Sequence, residues 1–113
     1  MLKKSASGGY YIEENSNELG SKAFAASSEC TASGLFSHAE GGATASGLAS
    51  HAEGGATASG EVSHAEGQAT ASGSASHAEG KFTSASGEYS HAEGFNTYSN
   101  EESSHSEGMS TKA

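Results

Sequence analysis

Along most of the chain, small residues alternate with variable ones. In Ser37–Gly41 (SHAEG), Ser37 and Ala39 alternate with His38 and Glu40; in Ala43–Gly47 (ATASG), Ala43 and Ala45 alternate with Thr44 and Ser46. A period of two is the mark of a β-strand, in which successive side chains point to opposite faces. The pattern therefore predicts short strands with Ser37, Ala39, Ala43 and Ala45 inside, and His38, Glu40, Thr44 and Ser46 outside. Gly41 and Gly47 end the two segments. Both are expected to turn the chain by taking positive φ, which glycine does without steric cost. A helix fails here, because glycine recurs every six or seven residues and costs about 1 kcal/mol each relative to alanine.

The two segments repeat. SHAEG recurs at 37–41, 50–54, 63–67, 76–80 and 90–94, and SHSEG at 104–108, so the histidines are spaced 13, 13, 13, 14 and 14 residues apart. ATASG recurs at 43–47, 56–60 and 69–73, then TSASG at 83–87; CTASG at 30–34 and TYSNE at 97–101 are drifted copies. The longer spacing comes from one residue added to the turn after SHAEG. Ala23–Ser27 is a degenerate copy with Phe24 in the histidine position, and Ser16–Gly20 reads as a worn half-repeat. Two strands and two turns per repeat make one coil, and coils stack at about 4.8 Å, the strand spacing of a sheet. The expectation is an all-β solenoid of about seven coils over residues 21–113, with 1–20 as a capping or linking segment. The chain stops three residues into the next ATASG slot, as a fragment truncated at its C-terminus would.

Composition changes meaning on this period. The 113 residues hold 23 Ser, 20 Ala and 16 Gly but only 10 Leu, Ile, Val and Phe together. Without a repeat that is the composition of a disordered chain. With one, the small residues become the interior of a coil too narrow for anything larger, and Cys30 falls in an inward alanine slot. Such an interior gives little hydrophobic return for the entropy of ordering the chain. Stability is expected from coil-on-coil stacking and from lateral association. Five Lys against fourteen Glu, for a net charge of −9, disfavour nucleic acid as a partner. No segment is long and apolar enough for membrane insertion, and the N-terminus lacks the apolar core of a signal peptide. A single cysteine allows no intrachain disulfide.

The unit S-x-A-x-G followed by A-x-A-x-G, at 13–14 residues per coil over about residues 20–113, resembles the head repeats of trimeric autotransporter adhesins. In its SHAEG/TASG form it looks like tail-fibre proteins of phages and prophages of Gram-positive bacteria. The resemblance implies a left-handed parallel β-roll assembled as a parallel homotrimer. It also implies a non-enzymatic structural or adhesive role on a virion tail or at the extracellular cell surface. Tail-fibre segment is the first reading and bacterial adhesin head the alternative. Family heads place aliphatic residues toward the threefold axis at the variable positions of S-x-A-x-G. Here those positions hold His38, His51, His64, His77, His91 and His105, and Glu40, Glu53, Glu66, Glu79, Glu93 and Glu107. Carried over, they form the trimer interface as alternating rings. A buried carboxylate is costly unless paired, so histidines of a neighbouring chain are the expected partners, and association is expected to respond to pH.

Other chemistries are weighed against this lattice. Three imidazoles about an axis, from any of the six histidines, are weak candidates for an axial metal ion such as Zn²⁺ or Ni²⁺, or for an anion. The spacing is that of the repeat rather than of a ligand motif, so no cofactor is expected. A ladder of Thr31, Thr44, Thr57 and Thr70 suggests ice binding by analogy, but gives way to Ser84 and Tyr98. Phe36, Val62 and Tyr89 occupy one turn position and are expected to pack between chains at a corner. Phe82, Phe95 and Tyr98 form a candidate exposed aromatic patch for a host-surface receptor or glycan. Catalysis is not expected, since a translational repeat makes no distinct pocket around one activated nucleophile.

Overall fold

The computed structural model describes residues 2–4, 10–12, 22–26 and 29–113. Much of the expected 1–20 cap, including the worn half-repeat at 16–20, lies outside the described residues. Within it, strands β1 (Leu2–Lys4) and β2 (Tyr10–Ile12) pair antiparallel. From residue 22 onward the chain is a parallel β-solenoid of about six turns, and no helix occurs among the described residues.

Seven segments stack in parallel along one side of the solenoid: β3 (Phe24–Ala25), β5 (His38–Glu40), β7 (His51–Gly54), the first half of β9 (His64–Ala71), the first half of β10 (His77–Ala85), β11 (His91–Phe95) and β13 (His105–Met109). The other side stacks β4 (Thr31–Ala32), β6 (Thr44–Ala45), β8 (Thr57–Ala58), the second halves of β9 and β10, and β12 (Tyr98–Ser99). β9 and β10 run unbroken round the corner between the two sides. Register is one repeat per coil: His38 pairs with His51, His51 with His64, His64 with His77, His77 with His91, and His91 with His105. Phe24 pairs with His38, as its place in the degenerate repeat implies.

The interior is as narrow as the sequence requires. Thirteen alanines, from Ala32 to Ala92, are buried and form its core, with Ser37, Ser50, Ser63, Ser76 and Ser90 beside them. Toward the C-terminus hydroxyls replace methyls. Ser99 donates across the coil to the carbonyl of His91 at 2.7 Å, whereas the buried Oγ1 atoms of Thr83 and Thr97 have no hydrogen-bond partner. Cys30 lies in its alanine slot, partly buried, and accepts from the Gly42 amide at 3.3 Å.

The serine that opens each SHAEG does more than fill space. Ser37 Oγ donates to the carbonyl of Gly34 at 2.7 Å, and the Ser37 amide reaches the same oxygen at 3.2 Å. The same hydroxyl contact recurs from Ser50, Ser63, Ser76, Ser90 and Ser104. Each closes a four-residue turn whose third residue has positive φ. That residue is never glycine: it is Phe36, Ala49, Val62, Ala75, Tyr89 or Ser103, at φ 53–60°.

This corrects the expectation for Gly47. Gly41 does take positive φ (73°), but Gly47 does not; in its turn the left-handed residue is Ala49. Gly47 is required for another reason. A Cβ there would sit 2.0 Å from the carbonyl oxygen of Gly60 in the next coil, and the same clash recurs at Gly34, Gly60 and Gly73. Glycine here permits coils to approach to strand-pairing distance. The extra residue of the first longer coil is Phe82, a bulge between Lys81 and Thr83 at φ 59°, and Asn96 at φ 55° takes the same place in the next.

Gly60→Ala is therefore expected to break stacking and abolish the cooperative unfolding transition. Ser63→Ala, which removes one buried hydrogen bond, should cost about 1 kcal/mol. Denaturant unfolding followed by circular dichroism measures both.

Candidate functional site

The outward side chains of the SHAEG strands make two parallel columns. Because every strand sits in exact repeat register, each histidine lies over the next. Adjacent imidazole rings are stacked at 4.6–4.8 Å between centroids and 1–7° between planes, from His38 to His105. Phe24 caps the column edge-on at 5.2 Å from His38. The glutamates stand two residues along, on the same face. Nε2 of His38, His51, His64, His77, His91 and His105 lies 3.5–3.9 Å from Oε2 of Glu40, Glu53, Glu66, Glu79, Glu93 and Glu107 respectively. His91 and His105 also approach the glutamate of the preceding coil, Glu79 and Glu93, at 3.8 Å. All twelve residues of the anticipated interface are thus brought together on one face of a single chain. Histidine meets glutamate within the chain, where the sequence suggested a partner from its neighbour.

These contacts are longer than hydrogen bonds. The Nε2 atoms of His38, His51, His64, His77 and His91 are shielded from solvent by the stack and have no hydrogen-bond partner, although the side chains as a whole remain 35–40% exposed. Beside the column, Glu40, Glu53 and Glu66 border an open groove floored by Gly41, Gly54 and Gly67. It continues past Glu79, Glu93 and Glu107 over Gly80, Gly94 and Gly108. Among the described residues, no lysine is in ion-pair contact with these carboxylates.

Burial and the stacking of like over like both oppose protonation at His77. The pKa of His77 is lowered from 6.5 by burial first, then by His64 and His91 above and below it; Glu66 and Glu93 oppose this without reversing it. Glu93 is held below 4.5, chiefly by hydrogen bonding with Glu79 and Glu107.

The aromatic patch forms at the opposite corner. The rings of Phe82 and Phe95 meet edge-on at 5.9 Å, and Lys81 Nζ lies 5.1 Å from the Phe82 ring centre. Tyr98 donates its hydroxyl to Asn96 Oδ1 at 3.1 Å. All three aromatic residues are exposed. Met109, which pairs with Phe95, extends the patch. Its place two residues after Glu107, matching Phe95 after Glu93, was the signal for it. Phe36, Val62 and Tyr89 stand exposed at the corner from which each SHAEG strand starts, with Leu35 and Leu48 beside them. The threonine ladder is in register from Thr31 through Thr44 and Thr57 to Thr70, then Ser84 and Tyr98.

Fold and face together define a class, the parallel β-solenoid whose outward ladders repeat once per coil. No family model, no curated protein and no solved structure matches the chain.

A histidine whose pKa is depressed in the fold stabilises it above the unfolded value and ceases to do so as pH falls. The His77 contribution should therefore be fully present above about pH 6.5 and decline as pH drops through 6.5 to the lowered folded value. Glu93 adds a further loss below about pH 4.5. Thermal unfolding at pH 7.5 and 5.5 should show a lower midpoint at the acid pH, and His77→Phe should narrow that difference.

Proposed function

We propose that the chain is a structural segment of an extended trimeric surface appendage, a phage or prophage tail fibre, with the His/Glu face turned toward a threefold axis. The observation that carries this reading is the pairing of that face with its flanking corner. The face leaves shielded, unpartnered nitrogens and a column of carboxylates without cations. The corner beside it exposes Leu35, Phe36, Leu48, Val62 and Tyr89 in a protein otherwise poor in large apolar residues. A lateral neighbour would cover both.

The corner conformation supports the same reading. Left-handed φ costs an L-residue about 1–2 kcal/mol, and for a β-branched residue such as Val62 it is a genuine outlier. The chain has sixteen glycines and uses none at the third position of these six turns. Strain kept where glycine would relieve it points to side chains with work to do outside their own coil. The resemblance of the repeats to trimeric autotransporter heads and phage tail fibres supplies the threefold assembly. A long acidic rod with small interior residues suits a spacer that carries or presents a receptor-binding part, at a virion tail or cell surface.

The exposed aromatic patch favours a second reading, a bacterial cell-surface adhesin head that contacts a glycan through Phe82, Phe95 and Tyr98. Neighbouring genes separate the two: tail and lysis functions for the fibre, a membrane anchor or sorting signal for the adhesin.

Sedimentation of the chain between pH 5 and 8 should show a trimer whose association changes across that range; a monomer unchanged throughout overturns the proposal. Val62→Gly should stabilise the isolated coil by about 1 kcal/mol through relief of strain, yet weaken self-association in the same sedimentation experiment.

A further inference from the structure

We propose that the His/Glu face binds divalent transition-metal ions of the zinc class, each held within one chain by side chains of two adjacent coils. This differs from an ion on a threefold axis, and it needs no second chain.

Four sets of three residues bring their donor atoms within 4.8 Å of one another: Glu40/His51/Glu53, Glu53/His64/Glu66, His77/Glu79/His91 and His91/Glu93/His105. Zinc bound tetrahedrally holds nitrogen and oxygen ligands at about 2.0–2.1 Å, which places neighbouring ligands about 3.4 Å apart. The His–Glu separations of 3.6–3.9 Å within these coils already approximate that edge. They are too long for hydrogen bonds and too short to admit a water between the atoms. An ion seated in front of them, at the groove-facing side of each pair, would be reached by modest rotation of half-exposed side chains.

Two further observations point the same way. The Nε2 atoms of His51, His64, His77 and His91 are shielded and lack any hydrogen-bond partner. A neutral imidazole with its proton on Nδ1 offers there the lone pair that a metal takes. The stacked carboxylates also carry negative charge that no lysine among the described residues balances, and a divalent cation would. Mixed imidazole and carboxylate donors select zinc, nickel or copper over calcium and magnesium, which take oxygen ligands.

Shared ligands limit the stoichiometry. Glu53 belongs to two sets, and a carboxylate can bridge two ions. His91 also belongs to two sets, but a neutral imidazole has one lone pair and serves one ion. The face should therefore take about three ions per chain: two around Glu53 and one on His91.

Equilibrium dialysis of the full chain against ZnCl₂ at pH 7.5 tests this, with MgCl₂ as the comparison. About three zinc ions and no magnesium should be retained. His91→Phe should lose one ion while an aromatic ring still fills the place between His77 and His105 in the column. Circular dichroism confirms the fold of the variant. Zinc absent from the wild type, magnesium retained equally, or a folded H91F that binds as much zinc as the wild type overturns the proposal. Should H91F fail to fold, cobalt decides on the wild type. Intense visible d–d bands support a four-coordinate nitrogen–oxygen site, and the weak spectrum of the hydrated ion overturns it.

Discussion

Everything in this solenoid is set by the distance between one coil and the next. The coils are joined by parallel strand pairing, so each residue lies one strand spacing, about 4.8 Å, from its copy. That spacing is reached only because Gly34, Gly47, Gly60 and Gly73 present no Cβ to the carbonyl that approaches them. The backbone ladder even continues through the corner, where the amide of Val62 reaches the Leu48 carbonyl at 2.7 Å and that of Ala75 reaches Glu61 at 2.7 Å. Apolar burial contributes comparatively little per coil, because the interior consists of methyls and serine hydroxyls. Hydrogen bonding along the stack and cooperation between neighbouring coils carry the fold.

The same spacing turns sequence repetition into chemistry. A residue type placed once per coil becomes a column of identical groups at one strand separation. For alanine the result is a continuous dry core. For histidine it is a stack of parallel rings, in which burial first and then the neighbouring His64 and His91 disfavour protonation of His77. For glutamate it is a row of carboxylates bordering one open groove, from Glu40 to Glu107. Neither column would have these properties as isolated residues, since exposed single His–Glu pairs are worth little. The repeat makes the face collective, so a change at one coil is felt at the coils above and below.

Much of this was legible in the sequence. Alternation assigned inside and outside correctly for Ser37, Ala39, Ala43 and Ala45 and for their outward neighbours, and the period placed Phe24 over His38. It placed Phe82 and Phe95 in the two-residue turns after SHAEG, where their rings meet in solvent. What alternation could not show was contact chemistry. Ser37 reads as a small inward residue, and nothing in its spacing reveals that its hydroxyl closes the turn on Gly34. Gly41 and Gly47 look alike in sequence, yet one is demanded by φ and the other by the approach of a neighbouring carbonyl. The His–Glu pairs were anticipated between chains, whereas two residues on the same face of one strand already lie within 4 Å.

The two corners divide the labour of the coil. At the corner after SHAEG, the glycine takes positive φ in every coil from Gly41 to Gly108, and Phe82, Asn96 and Ser110 add a second left-handed residue from the first 14-residue coil onward. That corner varies freely because it is only a turn, and the bulge that lengthens it pushes a ring into solvent. At the corner before SHAEG, length never varies, a serine hydroxyl locks the turn, and a non-glycine residue holds positive φ in each of six coils. A turn that only reversed the chain could use glycine there, and none of the six does. Fixed length, fixed hydroxyl contact and one backbone conformation together present Phe36, Val62 and Tyr89 at the same turn position, exposed to solvent. A surface that matched such placement would have to repeat at the same spacing, and a parallel copy of the chain, as proposed above, is one with that spacing.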